Sequence, residues 1–197
     1  RLLHALNAEL PDDAIVTLDG GDIFSFARIG LRGVRCLDAG AFGCLGVSVP
    51  FAVAAALVAP GRRVVSVNGD GSFGFNALEV STAVRHRAPV VFVVANNEAW
   101  NLERTDQRVN YDGNVFGTDL PDCRYDLLGA ALGAHAEHVV DPEELPAALA
   151  RAFANAPAVV DVSVTRDAIS PDFESGLADL PPLQTLRTWD EAERRLV

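Results

Sequence analysis

The chain has 197 residues, 49% of them hydrophobic, and a formal charge of −11, which suits one domain with a real core. The acidic balance argues against nucleic acid or an anionic membrane as partner, and no apolar run reaches the roughly 18 residues of a membrane span. All 16 basic residues are Arg, so a P-loop lysine and a lysine Schiff base are excluded, and no secretory signal pattern opens the chain.

Leu2, Leu3, Leu6 and Leu10 follow helical spacing, and Pro11-Asp12-Asp13 stops that helix. Ala14 to Leu18 reads as the first strand, running into the polar glycine turn Asp19-Gly20-Gly21-Asp22. Leu31 to Leu37 leads to a glycine-rich segment from Gly40 to Gly46, in which Cys44 reads as a small buried residue. Pro50 then opens a tightly packing, alanine-rich helix that Pro60-Gly61 ends. The three cysteines, Cys36, Cys44 and Cys123, have no paired spacing, which fits a reducing, cytoplasmic location and removes zinc and iron–sulfur readings.

Val64–Val67 and Val90–Val94 are short, nearly unbroken β-branched runs, the signature of neighbouring buried parallel strands. The first ends at Gly69-Asp70-Gly71, followed by a helix with Ala77, Val80, Ala83 and Val84 on one face and Arg85, His86 and Arg87 complementing its dipole. The second ends at Asn96-Asn97, and the polar stretch from Trp100 to Asn114, with little periodicity, is expected to be a loop near the crevice.

Tyr125 to Leu132 predicts a helix stopped by Gly133, and His135 to Val140 a strand on which His135 and His138 fall on opposite faces, so they make no metal pair. Asp141-Pro142-Glu143-Glu144 predicts a capped helix start running to about Asn155, and Ala158 to Val164 another buried strand. The alternation predicts an α/β fold: a doubly wound, mainly parallel sheet with helices on both faces. From Asp167 the prolines mark a tail, closed by a short helix that Thr188 and Glu191 cap. The expected division is therefore a domain over 1–166 and a tail over 167–197 that packs on the domain or on a partner. A chain that opens at Arg1 and contains no Met is expected to be a piece of something longer.

Chemistry concentrates where the two buried strands end, because ligands of open α/β sheets sit at the strands' carboxyl ends. The glycines flanking Asp70 are expected to adopt unusual dihedrals and let backbone N–H groups approach a ligand, and the helix that follows favours a phosphate. Asp70 would repel that phosphate unless a divalent cation lies between them. Mg²⁺ takes near-octahedral oxygen ligands, and Asp70, the side-chain oxygen of Asn97 and the carbonyl of Ala99 supply them with positions left for phosphate oxygens. Gly69-x-Gly71-x-x-Gly74 also fits the dinucleotide fingerprint, whose acidic ribose ligand would be replaced here by Asn96-Asn97. A purely structural tight turn is a further alternative.

Gly69-Asp70-Gly71, a spacer of about two dozen residues and Asn96-Asn97 resemble the diphosphate-binding motif of thiamine-diphosphate-dependent enzymes. Gly40-Ala41-Phe42-Gly43-Cys44-Leu45-Gly46-Val47-Ser48-Val49-Pro50 resembles the glycine-rich segment of the acetolactate synthase and 2-hydroxyacyl-CoA lyase branch. Nearly the whole chain is similar to the C-terminal, diphosphate-binding domain of that branch.

The resemblance implies thiamine diphosphate and Mg²⁺ as cofactors, with Asp70, Asn97 and Ala99 as metal ligands and Gly69, Asp70, Gly71 and Ser72 at the diphosphate. It further implies that Gly21, Asp22 and Ile23 touch the diphosphate and that the Gly43 carbonyl accepts from the aminopyrimidine. Leu45 would prop the cofactor into its V shape, and Trp100 would pack beside it. Carbon–carbon bond chemistry on a small 2-oxo acid or related carbonyl substrate follows, in a homo-oligomer such as a dimer. The activating Glu is expected from a separate pyrimidine-binding domain. Glu79, Glu98 and Glu103 match other roles, and no catalytic residue is identified in this chain. A non-catalytic homologue that keeps the fold is the remaining alternative.

Overall fold

The computed structural model describes residues 1–32, 34–170, 173 and 195. In chain order the elements are α1 (Leu2–Glu9), β1 (Ile15–Asp19), α2 (Asp22–Gly30), β2 (Arg35–Leu37), α3 (Ser48–Val58) and β3 (Val64–Gly69). They continue with α4 (Asp70–Asn76), α5 (Val80–His86), β4 (Val90–Asn96), α6 (Asn101–Asn110), α7 (Tyr125–Ala131), β5 (His135–Val139), α8 (Leu145–Ala154) and β6 (Ala158–Ser163). The strands form one six-stranded sheet in the order β2-β1-β3-β4-β6-β5, and every pairing is parallel.

The period-2 alternation of strand side chains sends successive residues of β4 to opposite cores. Val91, Val93 and Ala95 join α1, α2 and α8 on one face; Val90, Phe92 and Val94 join α3, α5 and α7 on the other. Burial on both faces is why these strands read as continuous apolar runs. Each fully buried Val or Phe contributes on the order of 1.5–3 kcal/mol. No helix among the described residues is long and apolar enough to cross a membrane.

The chain steps outward from β1 to β2 and then returns to place β3 on the other side of β1. The strand order therefore reverses between β1 and β3, and a crevice opens at their carboxyl ends. In register, Asp19 lies opposite Asn68, and Gly69 lies opposite Ala95 on the far neighbour. The switch point thus gathers the ends of β1, β3 and β4.

Several local expectations need correction. The glycine turn after β3 is not a turn: α4 begins at Asp70 itself, with Gly71 and Gly74 inside it, and none of Gly69, Gly71 and Gly74 has a positive φ. The polar stretch after Trp100 is helical over Asn101–Asn110; only Asn101 and Thr105 are buried there, so no apolar stripe announces the helix. Helix α8 starts at Leu145, because the Asp141 carboxylate accepts the Glu143 N–H in a separate turn and Pro146 takes the N-terminal position. Cys44 is exposed, not buried, since the segment around it turns outward with Gly40 and Gly43 at φ +60 and nothing within 4 Å of either Cβ position. Helix α3 is a core helix on one side only, with Phe51, Leu57 and Val58 exposed. The tail helix capped by Thr188 and Glu191 lies outside the described residues.

Candidate functional site

A cavity of about 500 Å³ occupies the switch point. Of the residues expected at a cofactor, it is lined by Gly21, Asp22 and Ile23 after β1, by Gly69, Asp70, Gly71 and Ser72 after β3, and by Asn97, Ala99 and Trp100 after β4. Its other end is apolar, walled by Leu2, Leu3, Phe26, Val139 and Val164. Gly43 and Leu45 do not line it; the first is exposed and the second half-buried.

Asp70 is the buried charge of this cavity, 3% exposed. Its Oδ1 accepts the Gly71 N–H at 3.0 Å and its Oδ2 the Ala99 N–H at 3.2 Å. The Asn97 Oδ1 accepts the same Ala99 N–H at 3.1 Å. One N–H shared by two side-chain oxygens from different strand tips brings those oxygens side by side. Burial pushes the Asp70 carboxyl above its ordinary range, and its backbone hydrogen bonds oppose that only in part. No ion pair reaches Asp70 among the described residues.

The third oxygen comes from backbone geometry. Ala99 pairs antiparallel with Asp119, and the flanking bonds run from Trp100 N–H to Thr118 O and from Leu120 N–H to Glu98 O, both 2.8 Å. Such a pair turns the residue's own N–H and C=O away from its neighbour strand. The Ala99 N–H meets Asp70 and Asn97 on that side, so its C=O faces the same way. A buried carboxylate, an amide oxygen and a carbonyl with no cation beside them are the donor set of a hard divalent ion, and the residues present fit Mg²⁺.

The glycines serve close approach, not unusual dihedrals. A Cβ on Gly71 would stand 2.4 Å from the Trp100 ring, and one on Gly21 2.7 Å from Leu102. Gly20 alone in the β1 turn is left-handed, at φ +103, and there a Cβ would meet the Gly69 N–H at 3.2 Å. Asp22 faces the cavity but turns its carboxylate to Asn101 Nδ2 at 2.6 Å, and burial raises its carboxyl.

The glycine-rich segment is tied to this site by a residue the motifs did not single out. Asp19, 4% exposed, accepts N–H groups from Gly20, Gly46 and Ser48 at 2.8, 2.9 and 3.0 Å. A buried chain of hydroxyls continues from it, with Thr17 to Ser48 at 2.8 Å, Ser48 to Ser66 at 2.6 Å and Asn68 to Ser66 at 2.9 Å. Arg166 was equally silent in the sequence. It donates to the Asn97 and Glu98 carbonyls beside the candidate metal loop.

His135 and His138 turn to different partners. His135 bonds Glu137, while His138 faces Asp126 and Asp161 within 4.8 Å. Both carboxylates are already engaged, Asp126 by an Arg124 fork and Asp161 by Asn96 and the Tyr125 N–H.

A doubly wound parallel domain whose switch point presents a carboxylate, an amide and a carbonyl oxygen to one cavity belongs to the cofactor-binding α/β class. Residues 24–162 match the family model described as thiamine pyrophosphate enzyme, C-terminal TPP binding domain, and the chain belongs to that family. It is 45% identical over 166 residues to an acetolactate synthase large subunit (IlvG) of Mycobacterium tuberculosis, covering 82% of this chain and 30% of that protein. It is 39% identical over 142 residues to 2-hydroxyacyl-CoA lyase 2 of Caenorhabditis elegans, covering 71% and 22%. With 2-hydroxyacyl-CoA lyase 1 of Mus musculus it shares 31% identity over 167 residues, covering 77% and 29%. The chain thus spans about 30% or less of the length of these relatives. The dinucleotide alternative is not favoured: its second and third glycines, Gly71 and Gly74, lie inside α4, and the β4 tip carries Asn96, whose amide is held by Asp161 and the Cys123 carbonyl.

Proposed function

We propose that this chain is the diphosphate-binding half of a thiamine-diphosphate- and Mg²⁺-dependent enzyme that makes or breaks carbon–carbon bonds next to a carbonyl. The reactions in view are acetolactate synthase-like carboligation and decarboxylation of a 2-oxo acid. The observation that carries the reading is the single Ala99 N–H shared by Asp70 Oδ2 and Asn97 Oδ1. Those oxygens and the Ala99 carbonyl would hold Mg²⁺, and the N–H groups and hydroxyl of Gly69 to Ser72 would border the diphosphate.

When bound, the cofactor supplies a carbanion nucleophile and an electron sink. Everything else this chain does is positional. Asp70 would offset part of the metal's charge, Trp100 packed on Gly71 would wall the diphosphate, and Gly21 with the first residues of α2, Asp22 and Ile23, lines the same cavity. Gly43 and Leu45 would meet the aminopyrimidine half from the segment anchored on Asp19.

The missing parts are a pyrimidine-binding domain carrying the activating Glu, supported by the small share of each relative that this chain covers, and a homo-oligomer, such as a dimer, that brings the halves together. Residues 1–166 form the domain in this reading, and 167–197 a tail that packs on it or on a partner. The three free thiols suit a cytoplasmic setting.

Calorimetric titration with thiamine diphosphate, with and without Mg²⁺, tests the proposal. Binding is expected only with the metal, and Asp70→Ala is expected to abolish it. Unchanged affinity in Asp70→Ala refutes the metal assignment. Added 2-oxo acid should give no turnover from this chain alone, and robust turnover would overturn the claim that it is half a site.

A further inference from the structure

We infer that Arg166 is the positioning residue of the metal loop: its guanidinium fixes Asn97, Glu98 and Ala99 in the one backbone path that aims their oxygens at a common cation. This rests on the reading of that loop as a Mg²⁺ site. The loop's own bonds, from the Glu98 N–H to Asn96 Oδ1 at 3.3 Å and from the Ala99 N–H to Asn97 Oδ1 at 3.1 Å, hold its amides but leave the Asn97 carbonyl to an outside donor. Glu98 sits at φ +56, a left-handed conformation that a non-glycine residue keeps only when its surroundings impose it.

Arg166 imposes it from just beyond β6. Its Nε donates to the Asn97 carbonyl at 2.9 Å, and its Nη2 to the Glu98 carbonyl at 3.3 Å and to the Glu98 carboxylate at 2.8 Å. Its Nη1 donates to Asp119 at 3.3 Å, on the segment that pairs with Ala99. The planar fork therefore spans two successive carbonyls of the strained loop and the strand opposite it, a geometry that the point charge of lysine lacks. The backbone of Arg166 completes the clamp, because its carbonyl accepts from Asn101 Nδ2, which also donates to Asp22 across the cavity. One residue thus ties the exit of β6 to the loop after β4 and, through Asn101, to the start of α2. With the Asn97 carbonyl turned outward to the guanidinium, and the Glu98 carbonyl shared between the guanidinium and the Leu120 N–H, the Asn97 side chain and the Ala99 carbonyl are left to face Asp70.

The test compares Arg166→Lys and Arg166→Gln with the full chain, and uses Arg104→Gln as a control that touches Asp119 but not the loop carbonyls. Mg²⁺ is titrated calorimetrically at saturating thiamine diphosphate. Amide hydrogen exchange at Glu98, Ala99 and Trp100 is followed without cofactor. Both Arg166 variants should lose about tenfold or more in Mg²⁺ affinity, the usual scale for a residue that orients metal ligands. Exchange should quicken at those three amides alone, with Tm nearly unchanged, and Arg104→Gln should match the parent. Parent-like Mg²⁺ affinity and exchange in Arg166→Lys overturn the inference by reducing the role to charge. Exchange quickening throughout the sheet with a large fall in Tm also overturns it, by making the role general stability. A parent chain that binds no thiamine diphosphate refutes the functional reading instead, and the exchange result still decides whether Arg166 holds the loop.

Discussion

Gly71→Ala should destabilise the chain even though alanine is the better helix former. Gly71 has helical backbone inside α4, so losing a glycine there gains at most about 1 kcal/mol from propensity. The new Cβ would lie 2.4, 2.6 and 2.8 Å from Cζ3, Cη2 and Cε3 of Trp100. Trp100 has only two side-chain torsions with which to yield, and its ring is packed edge-on against Phe75 with centroids 6.1 Å apart. Overpacking of this kind costs about 1–3 kcal/mol. The clash outweighs the propensity, leaving a net loss of about 1–2 kcal/mol, or roughly 2–8 °C in Tm for a domain of this size. Denaturant unfolding of Gly71→Ala, Trp100→Ala and the double variant isolates the cause. With the indole gone, the same alanine should become neutral or stabilising, a sign reversal that only direct contact explains. A Gly71→Ala variant as stable as the parent, or equally damaged in both backgrounds, would refute the reasoning.

Two further outcomes follow from the hydrogen bonds. Asp19→Asn keeps one acceptor oxygen where the carboxylate has two, so either the Gly20 N–H or the Gly46 and Ser48 pair meets an amide N–H₂. At least one donor left without an acceptor should cost about 1–3 kcal/mol and roughly 2–12 °C in Tm; an unchanged melting curve would show that the glycine-rich segment is not anchored there. On the sheet edge, Arg151 and then His135 hold the Glu137 carboxyl below its ordinary range. A carboxylate whose folded value is depressed stabilises the fold above its ordinary value and loses that contribution as pH falls through the folded one. Glu137→Gln should therefore lower Tm by a few degrees at most at pH 7, because Arg151 is largely exposed. At pH values below the folded titration the difference should vanish; equal differences at both pH values would count against the linkage.

What was legible in the sequence was whatever is written in local periodicity. Val64–Val67 and Val90–Val94 announced central parallel strands because both their faces are buried, and Gly133 announced a helix end because it sits at φ +90. Asp70 and Asn97 stood out as candidates because a carboxylate at a predicted phosphate site poses an electrostatic contradiction that a metal would remove, and the structure brings their side-chain oxygens onto one N–H. Asn101–Asn110 escaped because α6 buries two polar residues and leaves no stripe. Gly71 was recognised as important for the wrong reason: the sequence shows that a side chain is missing, but not that the indole of Trp100, almost thirty positions away, fills the space. Asp19 was invisible because its partners at Gly46 and Ser48 are backbone groups, which leave no mark on residue identity, and Arg166 because it meets two backbone carbonyls and two carboxylates about fifty to seventy positions away, a distance no local pattern spans.

The electrostatics of the cavity give the proposed cofactor chemistry a thermodynamic consequence. Asp22, Asp70 and Glu103 line it, and the one arginine on its wall among the described residues, Arg1, already pairs with Glu143 at 2.9 Å. Arg166, the next candidate, commits its donors to Asn97, Glu98 and Asp119. Among the described residues no side-chain cation of the cavity wall is thus free to meet a diphosphate, and a bare diphosphate would enter against three carboxyl groups, two of which burial already pushes toward their neutral form. On the proposed reading the metal and the diphosphate must each supply what the other lacks. Their affinities are then coupled, and the coupling must be reciprocal: the factor by which Mg²⁺ tightens thiamine diphosphate equals the factor by which thiamine diphosphate tightens Mg²⁺. A pair of titrations that found the diphosphate bound equally well with and without the metal would mean that some cation of the protein itself faces the site, and the account of Asp70 as a metal ligand would fail with it.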